Sequence, residues 1–466
     1  MMSPMQSSLS TWGMKLYVYL LLLALAACST KPSPGVCCTT DADCARLGGI
    51  EPRGCPDGYA CRNLLCEAAE CAATADCSVE QPVCDLDSAS CTGCMAGSDC
   101  DGYVHAPVCD TATGACRACA LDAECASEVC DVDTGRCVAE SEIIYASPVG
   151  AATAGCTHQQ PCSVARAIAV ATADPSSSLV RLLPGTYLTP VVFSSGVVEV
   201  VGTGASIMFA NNAVEARESA VVEIRGFDIY GYVASTGTSS LFPSLTVRDS
   251  TIRFGWSAMV AHGILRMLRS SVGPVLTAIA VFDDGTFEAD QTHFEGSGSG
   301  GVVSTNGRRM RVRITNSIFE RVSLGMSSTD DAPSRNEYYV SFNTFLFDDQ
   351  AQIQNCSSPS GYPPIALFEN NIFFASSPQV QSVIAGFGCT LAGNITHPQE
   401  PDFGGTNIDQ DPKFVDLPSK DYRLQPGSPA VDAAVPSSGP GLDHDFAGTP
   451  RPQGPRHDIG AFELRP

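Results

Sequence analysis

Basic residues are scarce in this chain. Its 466 residues include 27 Lys and Arg against 50 Asp and Glu, a formal net charge of −23. Nucleic-acid binding needs clustered cations to neutralise phosphates, so that function class is excluded. The chain also lacks a bilayer-spanning apolar run: the stretch from Leu16 to Ala27 holds about a dozen residues where about 20 are needed. The cysteine-rich part has a single histidine, His105, and its repeating units lack internal CxxC pairs, which argues against zinc ribbons. Ser, His and Asp are too thinly spread to mark a hydrolase triad. What remains is 44% hydrophobic, with room for two or three domains.

Met14-Lys15 followed by Leu16 to Ala27 reads as the charged and apolar regions of an export signal. Met14 opens that signal unaided, so the start lies at Met1 or Met14. Leu25-Ala-Ala-Cys28 resembles the lipobox of bacterial lipoproteins. The resemblance implies cleavage after residue 27 and lipidation of Cys28 at its thiol and new amino terminus, giving a lasting membrane anchor. With Ser29 next, it further implies the outer membrane of a Gram-negative cell. The alternative is a signal end with a chance cysteine. Cysteine arithmetic favours the lipid, because 23 cysteines less Cys28 leaves 22 that can pair. Residues 28–36, with Lys31-Pro-Ser-Pro-Gly35, form a short stiff tether.

Residues 37–138 form a disulfide-rich segment with 18 cysteines. Three units are plain: Cys71, Cys77, Cys84, Cys91; Cys94, Cys100, Cys109, Cys116; and Cys119, Cys125, Cys130, Cys137. Each opens CxxxxxC with Asp76, Asp99 or Glu124 before the second cysteine, and closes CDxxxxxC. A longer unit, Cys37, Cys38, Cys44, Cys55, Cys61 and Cys66, precedes them. Units of about 25 residues cannot bury a sufficient core, so disulfides must replace it; four cysteines leave three pairings open. Asp131-Val-Asp-Thr-Gly135 reads as a hairpin turn in preference to a calcium loop. The spacing resembles cysteine-rich repeats of Dickkopf-N-terminal type.

From about Val221 to Phe374 one pattern recurs: apolar, two variable, small polar, one variable, apolar. Its copies are Val247-Arg-Asp-Ser-Thr-Ile252, Met267-Leu-Arg-Ser-Ser-Val272, Ala289-Asp-Gln-Thr-His-Phe294, Ile314-Thr-Asn-Ser-Ile-Phe319, Val340-Ser-Phe-Asn-Thr-Phe345 and Phe368-Glu-Asn-Asn-Ile-Phe373. A period of about 20 to 28 residues is that of a solenoid. The pattern predicts an internal column of Phe294, Phe319, Phe345 and Phe373, and a polar ladder of Ser317, Asn343 and Asn371 near a turn. A helix over 161–173 is expected to cover the solenoid's open end. Cys156 with Cys162, and Cys356 with Cys389, are candidate disulfides. The opening from Tyr145 through Pro184-Gly-Thr-Tyr187, with the repeat behind it, resembles pectate-lyase-like right-handed parallel β-helices over residues 142–396. The implied fold class is all-β: a right-handed parallel β-helix with an N-terminal capping helix, preceded by the disulfide-rich segment.

Residues 397–466 are rich in proline and acid. Asp443-His-Asp-Phe-Ala-Gly-Thr-Pro-Arg451 and His457-Asp-Ile-Gly-Ala-Phe-Glu463 resemble the C-terminal module of secreted bacterial β-helix proteins, the choice-of-anchor Q type. The module is expected to cap the C-terminal end, with Asp432, Asp443 and Asp458 as turn and capping residues in preference to calcium ligands.

No catalytic residue is assigned. Asp283-Asp284 offers an acid/base pair, yet the stretches flanking the polygalacturonase pair, Gly-His-Gly among them, are missing or out of order, and a turn is the better reading. Arg309, Arg311 and Arg313 are expected to project from one strand opposite Met310, Val312 and Ile314. They are candidate ligands for an acidic polysaccharide, or alternatively part of a salt-bridge column in which Arg266, Glu288 and Arg313 align on successive coils. The expected function is a non-catalytic, membrane-anchored surface protein that binds polysaccharide or a cell-surface partner, with no cofactor and no metal. The alternatives are a polysaccharide lyase or hydrolase, and a purely structural role.

Overall fold

The computed structural model describes residues 59–465, apart from 63–64, 69–70, 72, 86–89, 174–176, 254–255, 276, 297–300, 329–335, 348–352, 355–364, 376–383, 386–388, 399–404 and 438–441. The export signal, Cys28, the tether, most of the first cysteine unit and Cys356 lie outside the described residues. The chain divides into two compact units, Met1–Ala139 and Glu140–Pro466.

In the first unit each four-cysteine repeat folds as a single-turn 3-10 helix followed by a hairpin. The helices are Thr74–Asp76, Gly97–Cys100 and Asp122–Glu124. The hairpins pair Val83–Asp85 with Ser90–Thr92, Val108–Asp110 with Ala115–Arg117, and Cys130–Asp131 with Arg136–Cys137. Disulfides join the first cysteine to the third and the second to the fourth: Cys71–Cys84 and Cys77–Cys91, Cys94–Cys109 and Cys100–Cys116, Cys119–Cys130 and Cys125–Cys137. The recurring acid before the second cysteine accepts backbone N–H bonds at the head of each short helix. Asp99 Oδ2 takes those of Met95 and Ala96, and Glu124 Oε2 those of Ala120 and Leu121. The Asp of the second and third CDxxxxxC stretches ties the hairpin turn: Asp110 Oδ1 accepts from Ala112 N, Asp131 Oδ1 accepts from Asp133 N and Thr134 N, and Gly135 supplies the left-handed residue that closes the latter, at φ 71°.

The second unit is a parallel β-helix. Three sheets run along it, each coil adding one strand to each sheet. The first sheet stacks, in order, Ser244–Arg248, Ile264–Leu268, Thr286–Asp290, Arg311–Thr315, Glu337–Ser341 and Ile365–Glu369. The second stacks Thr251–Arg253, Ser271–Val275, His293–Gly296, Ile318–Glu320, Thr344–Phe347, Ile372–Ala375 and Ile395–His397. The third includes Trp256–Ala261, Thr277–Phe282, Gly301–Gly307 and Val322–Ser328. Strands inside the stack bond to the coils before and after, which pairs their backbone groups along the core. The winding continues past the expected boundary at 396 to Ile408–Asp409, paired with Ile395–His397.

At its start the helix Val164–Ala171 packs on the first coil. Ser163 caps it, and Val164, Ala167 and Ala171 are buried in the solenoid core. Cys156 and Cys162 are disulfide-linked beside it. Cys389 is also oxidised.

Between the first and second sheets each coil makes the same turn. Asp249, Arg269, Gln291, Asn316, Phe342 and Asn370 occupy the left-handed region at φ 46–59°. The next residue is the small polar one of the repeat, and from Ser317 onward its side chain accepts the corresponding N–H of the preceding coil. Thr292 N donates to Ser317 Oγ, Ser317 N to Asn343 Oδ1, Asn343 N to Asn371 Oδ1, Asn371 N to Asn394 Oδ1 and Asn394 N to Asn407 Oδ1. All but the last of these rungs are fully buried, so each bond prevents an unsatisfied backbone donor. Behind the ladder the predicted phenylalanines stack, with ring centroids at 4.7 Å for Phe294 and Phe319, 4.6 Å for Phe319 and Phe345, and 5.1 Å for Phe345 and Phe373.

The C-terminal residues correct one expectation. They fold back along the flank of the second sheet, where a purely end-on cap was expected. Phe414, Tyr422, Leu424, Ala430, Ile459 and Ala461 form a second core with Ile318, Leu346, Ile372 and Ile395 of the solenoid. Those solenoid strands are therefore buried on both faces.

Candidate functional site

Covering the second sheet leaves the outer face of the first as the flank that bears the predicted arginines. Met310, Val312 and Ile314 are buried in the core, as alternation requires. Arg311 and Arg313 point out from the strand Arg311–Thr315. Arg309 does not share that strand, because it sits in the preceding turn at φ 52°. There its guanidinium grips both carboxylate oxygens of Asp284, with Nη2 2.5 Å from Oδ2.

Arg309, Asp284 and His262 stack at equivalent left-handed corners of three coils. His262 Nδ1 lies 3.2 Å from Asp284 Oδ2. The Arg309 hydrogen bond outweighs burial and holds the Asp284 carboxyl below the usual range. Asp283 Oδ1 instead accepts the N–H of Arg308 at 2.7 Å. One aspartate is thus committed to a guanidinium and its neighbour to the backbone, an arrangement that ties turns together and keeps Asp284 ionised.

Register aligns Arg266, Glu288, Arg313 and Tyr339 as consecutive outward residues on four coils. Arg266 Nε donates to Glu288 Oε2 at 2.7 Å, whereas Arg313 Nη1 stands 3.8 Å from Oε1 of the same glutamate. Arg313 Nε is buried without a hydrogen-bond partner. One carboxylate therefore serves two arginines. Arg311 has its own, Glu337 Oε2 at 2.9 Å, and both side chains remain in contact with solvent. Farther back, Arg225 with Glu199 and Arg248 with Glu223 make the same coil-to-coil pairs at 2.8 and 2.9 Å.

A dense group of titratable side chains lies at the seam with the C-terminal residues and was not foreseen. Glu320 Oε1 accepts from Tyr422 Oη at 2.8 Å and sits 3.0 Å from His293 Nε2, and Oε2 pairs with Lys420 at 2.6 Å. Burial pushes the Glu320 carboxyl up, but the bonds from His293, Lys420 and Tyr422 overcome it and bring it to about 2. Burial and the bond to Glu320 push the Tyr422 hydroxyl upward. One turn away, His444 bridges Asp290 at 2.7 Å and Asp443 at 2.5 Å. These contacts clasp residues 420–444 to the solenoid. Asp432, Asp443 and Asp458 all serve the module's own turns and contacts: Asp432 Oδ1 accepts Arg456 N, and Asp458 accepts Asp432 N and Leu464 N.

No family model matches the chain, and no curated protein matches it. Among solved structures it is similar to pectate lyase Pel9A at 14% identity and a TM-score of 0.42, over 71% of this chain and 98% of that one. It is also similar to a mutant of the PL6-family alginate lyase AlyGC at 11% identity and a TM-score of 0.23, over 60% of this chain and 58% of that one. The assignment as a parallel β-helix stands on the strand register of this chain, and those likenesses add no argument about activity.

Proposed function

We propose that this is a lipid-anchored surface protein, held in the outer membrane through Cys28, whose β-helix binds acidic polysaccharide without cleaving it. The carrying observation is the sharing of Glu288 by Arg266 and Arg313, which leaves the Arg313 guanidinium one carboxylate short. A ligand carboxylate or sulfate would complete it, since a guanidinium fork matches planar anions. Arg311 on the same strand offers a second cation, and Tyr339 on the next coil an aromatic neighbour for a sugar ring. The corner carboxylates at Asp283 and Asp284, already engaged by Arg308 N and Arg309, supply neither a free base nor a protonated acid. No cofactor or metal is part of this reading.

The test is incubation of the purified, oxidised protein with a panel of acidic polysaccharides, following both retention and the release of unsaturated or reducing ends. Retention without product, weakened about tenfold or more in the Arg311→Gln, Arg313→Gln double variant, is expected. Product formation abolished by Asp284→Ala would establish a lyase or hydrolase instead. No retention at all would turn the search to cell-surface protein partners.

A further inference from the structure

A cavity of about 450 Å³ opens within the C-terminal residues, lined among others by Val415, Arg423, Thr449, Phe462 and Arg465. It takes no part in the reading above, and its lining includes no residue of the solenoid sheets. We propose that this cleft binds a small apolar carboxylate, with Arg465 and Arg423 holding the anion and Phe462 and Val415 its body.

The charge balance of the walls carries the argument. Two acids contribute to the lining, Asp445 and Glu463, but both are buried and their oxygens are filled by donors. Asp445 Oδ1 accepts from Ala447 N and Thr449 N, and Oδ2 from Glu463 N. Glu463 Oε1 accepts from Asp458 N and from the buried Arg451, and Oε2 from Gln453 N. Their charge is therefore spent inward.

Of the two arginines, Arg465 is not spent on a carboxylate and Arg423 is spent only in part. Arg465 is exposed and directs both Nε and Nη2 at one neutral atom, Thr449 Oγ1, at 3.2 and 3.0 Å. No carboxylate faces it among the described residues. Arg423 is two-thirds exposed and uses its Nε and Nη2 on Asp421, with no hydrogen bond from Nη1 among the described residues. The same cavity is lined by the ring of Phe462, packed edge-on against Phe446 at 5.4 Å, and by Val415, which is 42% exposed. Two arginines and apolar side chains lining one cavity of this size suit a compact organic acid.

The probes are benzoate and its neutral isostere benzamide, added to the oxidised full-length protein and read by ligand-observed NMR and calorimetry. Benzoate is expected to bind at least about tenfold more tightly than benzamide, the fold-change for one charge-assisted bond pair. Arg465→Leu should weaken benzoate by a similar factor and Arg423→Leu by less, with thermal midpoints unchanged, and added salt should weaken binding to the unaltered protein. Equal binding of benzamide, full benzoate affinity in a folded Arg465→Leu protein, or no contact with benzoate at about 10 mM would overturn the proposal.

Discussion

Arg451 Nη1 and Glu463 Oε1 meet at 2.8 Å with neither side chain exposed to solvent. The guanidinium also donates to the carbonyls of His444, Asp458 and Gly460 and lies over the Phe342 ring, 5.0 Å from its centroid. Three backbone carbonyls and one carboxylate from residues 444–463 of the fold-back thus converge on one cation. Removing either partner strands a buried charge, so Arg451→Met or Glu463→Gln alone should lose about 3–5 kcal/mol. The pair Arg451→Met, Glu463→Leu should cost less than the sum of its parts, because no lone charge remains. Urea unfolding of the three variants measures this.

The asparagine ladder makes a sharper demand. Asn371 Oδ1 accepts from both the backbone N and the Nδ2 of Asn343, while its own Nδ2 donates to Val340 O at 2.8 Å and Asn394 Oδ1 at 3.0 Å. Asn371→Ala leaves the Asn343 N–H buried without a partner and should cost about 2–3 kcal/mol. Asn371→Ser should lose less, since Ser317 accepts the same N–H from its own place in the column. Equal losses for Ala and Ser in denaturant titrations would show that the ladder bonds contribute little.

These two features were legible to different degrees. The ladder and the phenylalanine column could be read directly, because each coil repeats one local turn whose left-handed corner and following polar residue recur in the same place. The fold-back was missed, although its signal was present. Outward positions of the second sheet are Thr251, Arg253, Ser271 and His293 in the earlier coils and become Ile318, Leu346, Ile372 and Ile395 in the later ones. A strand buried on both faces reads as an unbroken apolar run, and that change of period announces a covering layer. Arg309 was misplaced for a related reason: alternation was carried one residue too far, into a turn that resets the phase. The Glu320 clasp joins residues about 100 apart in sequence, beyond any local pattern.

The seam should have a stability optimum in mildly acidic solution. Glu320 is depressed from 4.5 to about 2, so its contribution is complete above pH 4.5 and is lost as the pH falls towards 2. Burial lowers the His444 imidazole, but the bonds and charges of Asp290 and Asp443 together prevail and raise it, so its contribution is complete below 6.5 and is lost as the pH rises through the folded value. Asp458, raised by burial from 3.8 to about 6, adds stability that declines across that interval as pH rises. Thermal midpoints measured across pH should therefore lose their acid limb in Glu320→Gln and their alkaline slope in His444→Gln. An unchanged profile in both would remove the seam as the origin of pH dependence.

The crossed disulfides give the first unit its own test. Loops of 13 to 16 residues between the bonded cysteines of the first two modules each contribute about 3 kcal/mol by restricting the unfolded chain. Peptide mapping of the unreduced protein should recover Cys94 with Cys109 and Cys100 with Cys116. Adjacent modules are further joined by Tyr103, whose hydroxyl donates to Cys77 O at 2.8 Å, and by the bond from Cys116 N to Val79 O at 2.7 Å. Tyr103→Phe removes only the first of these links and leaves every disulfide intact. Its expected cost is about 1 kcal/mol, seen as faster proteolysis around residues 77–82 with the same disulfide map. Faster cleavage spread evenly over all three modules would mean instead that Tyr103 supports the core of its own module, and that the junction is held by the backbone bond at Val79.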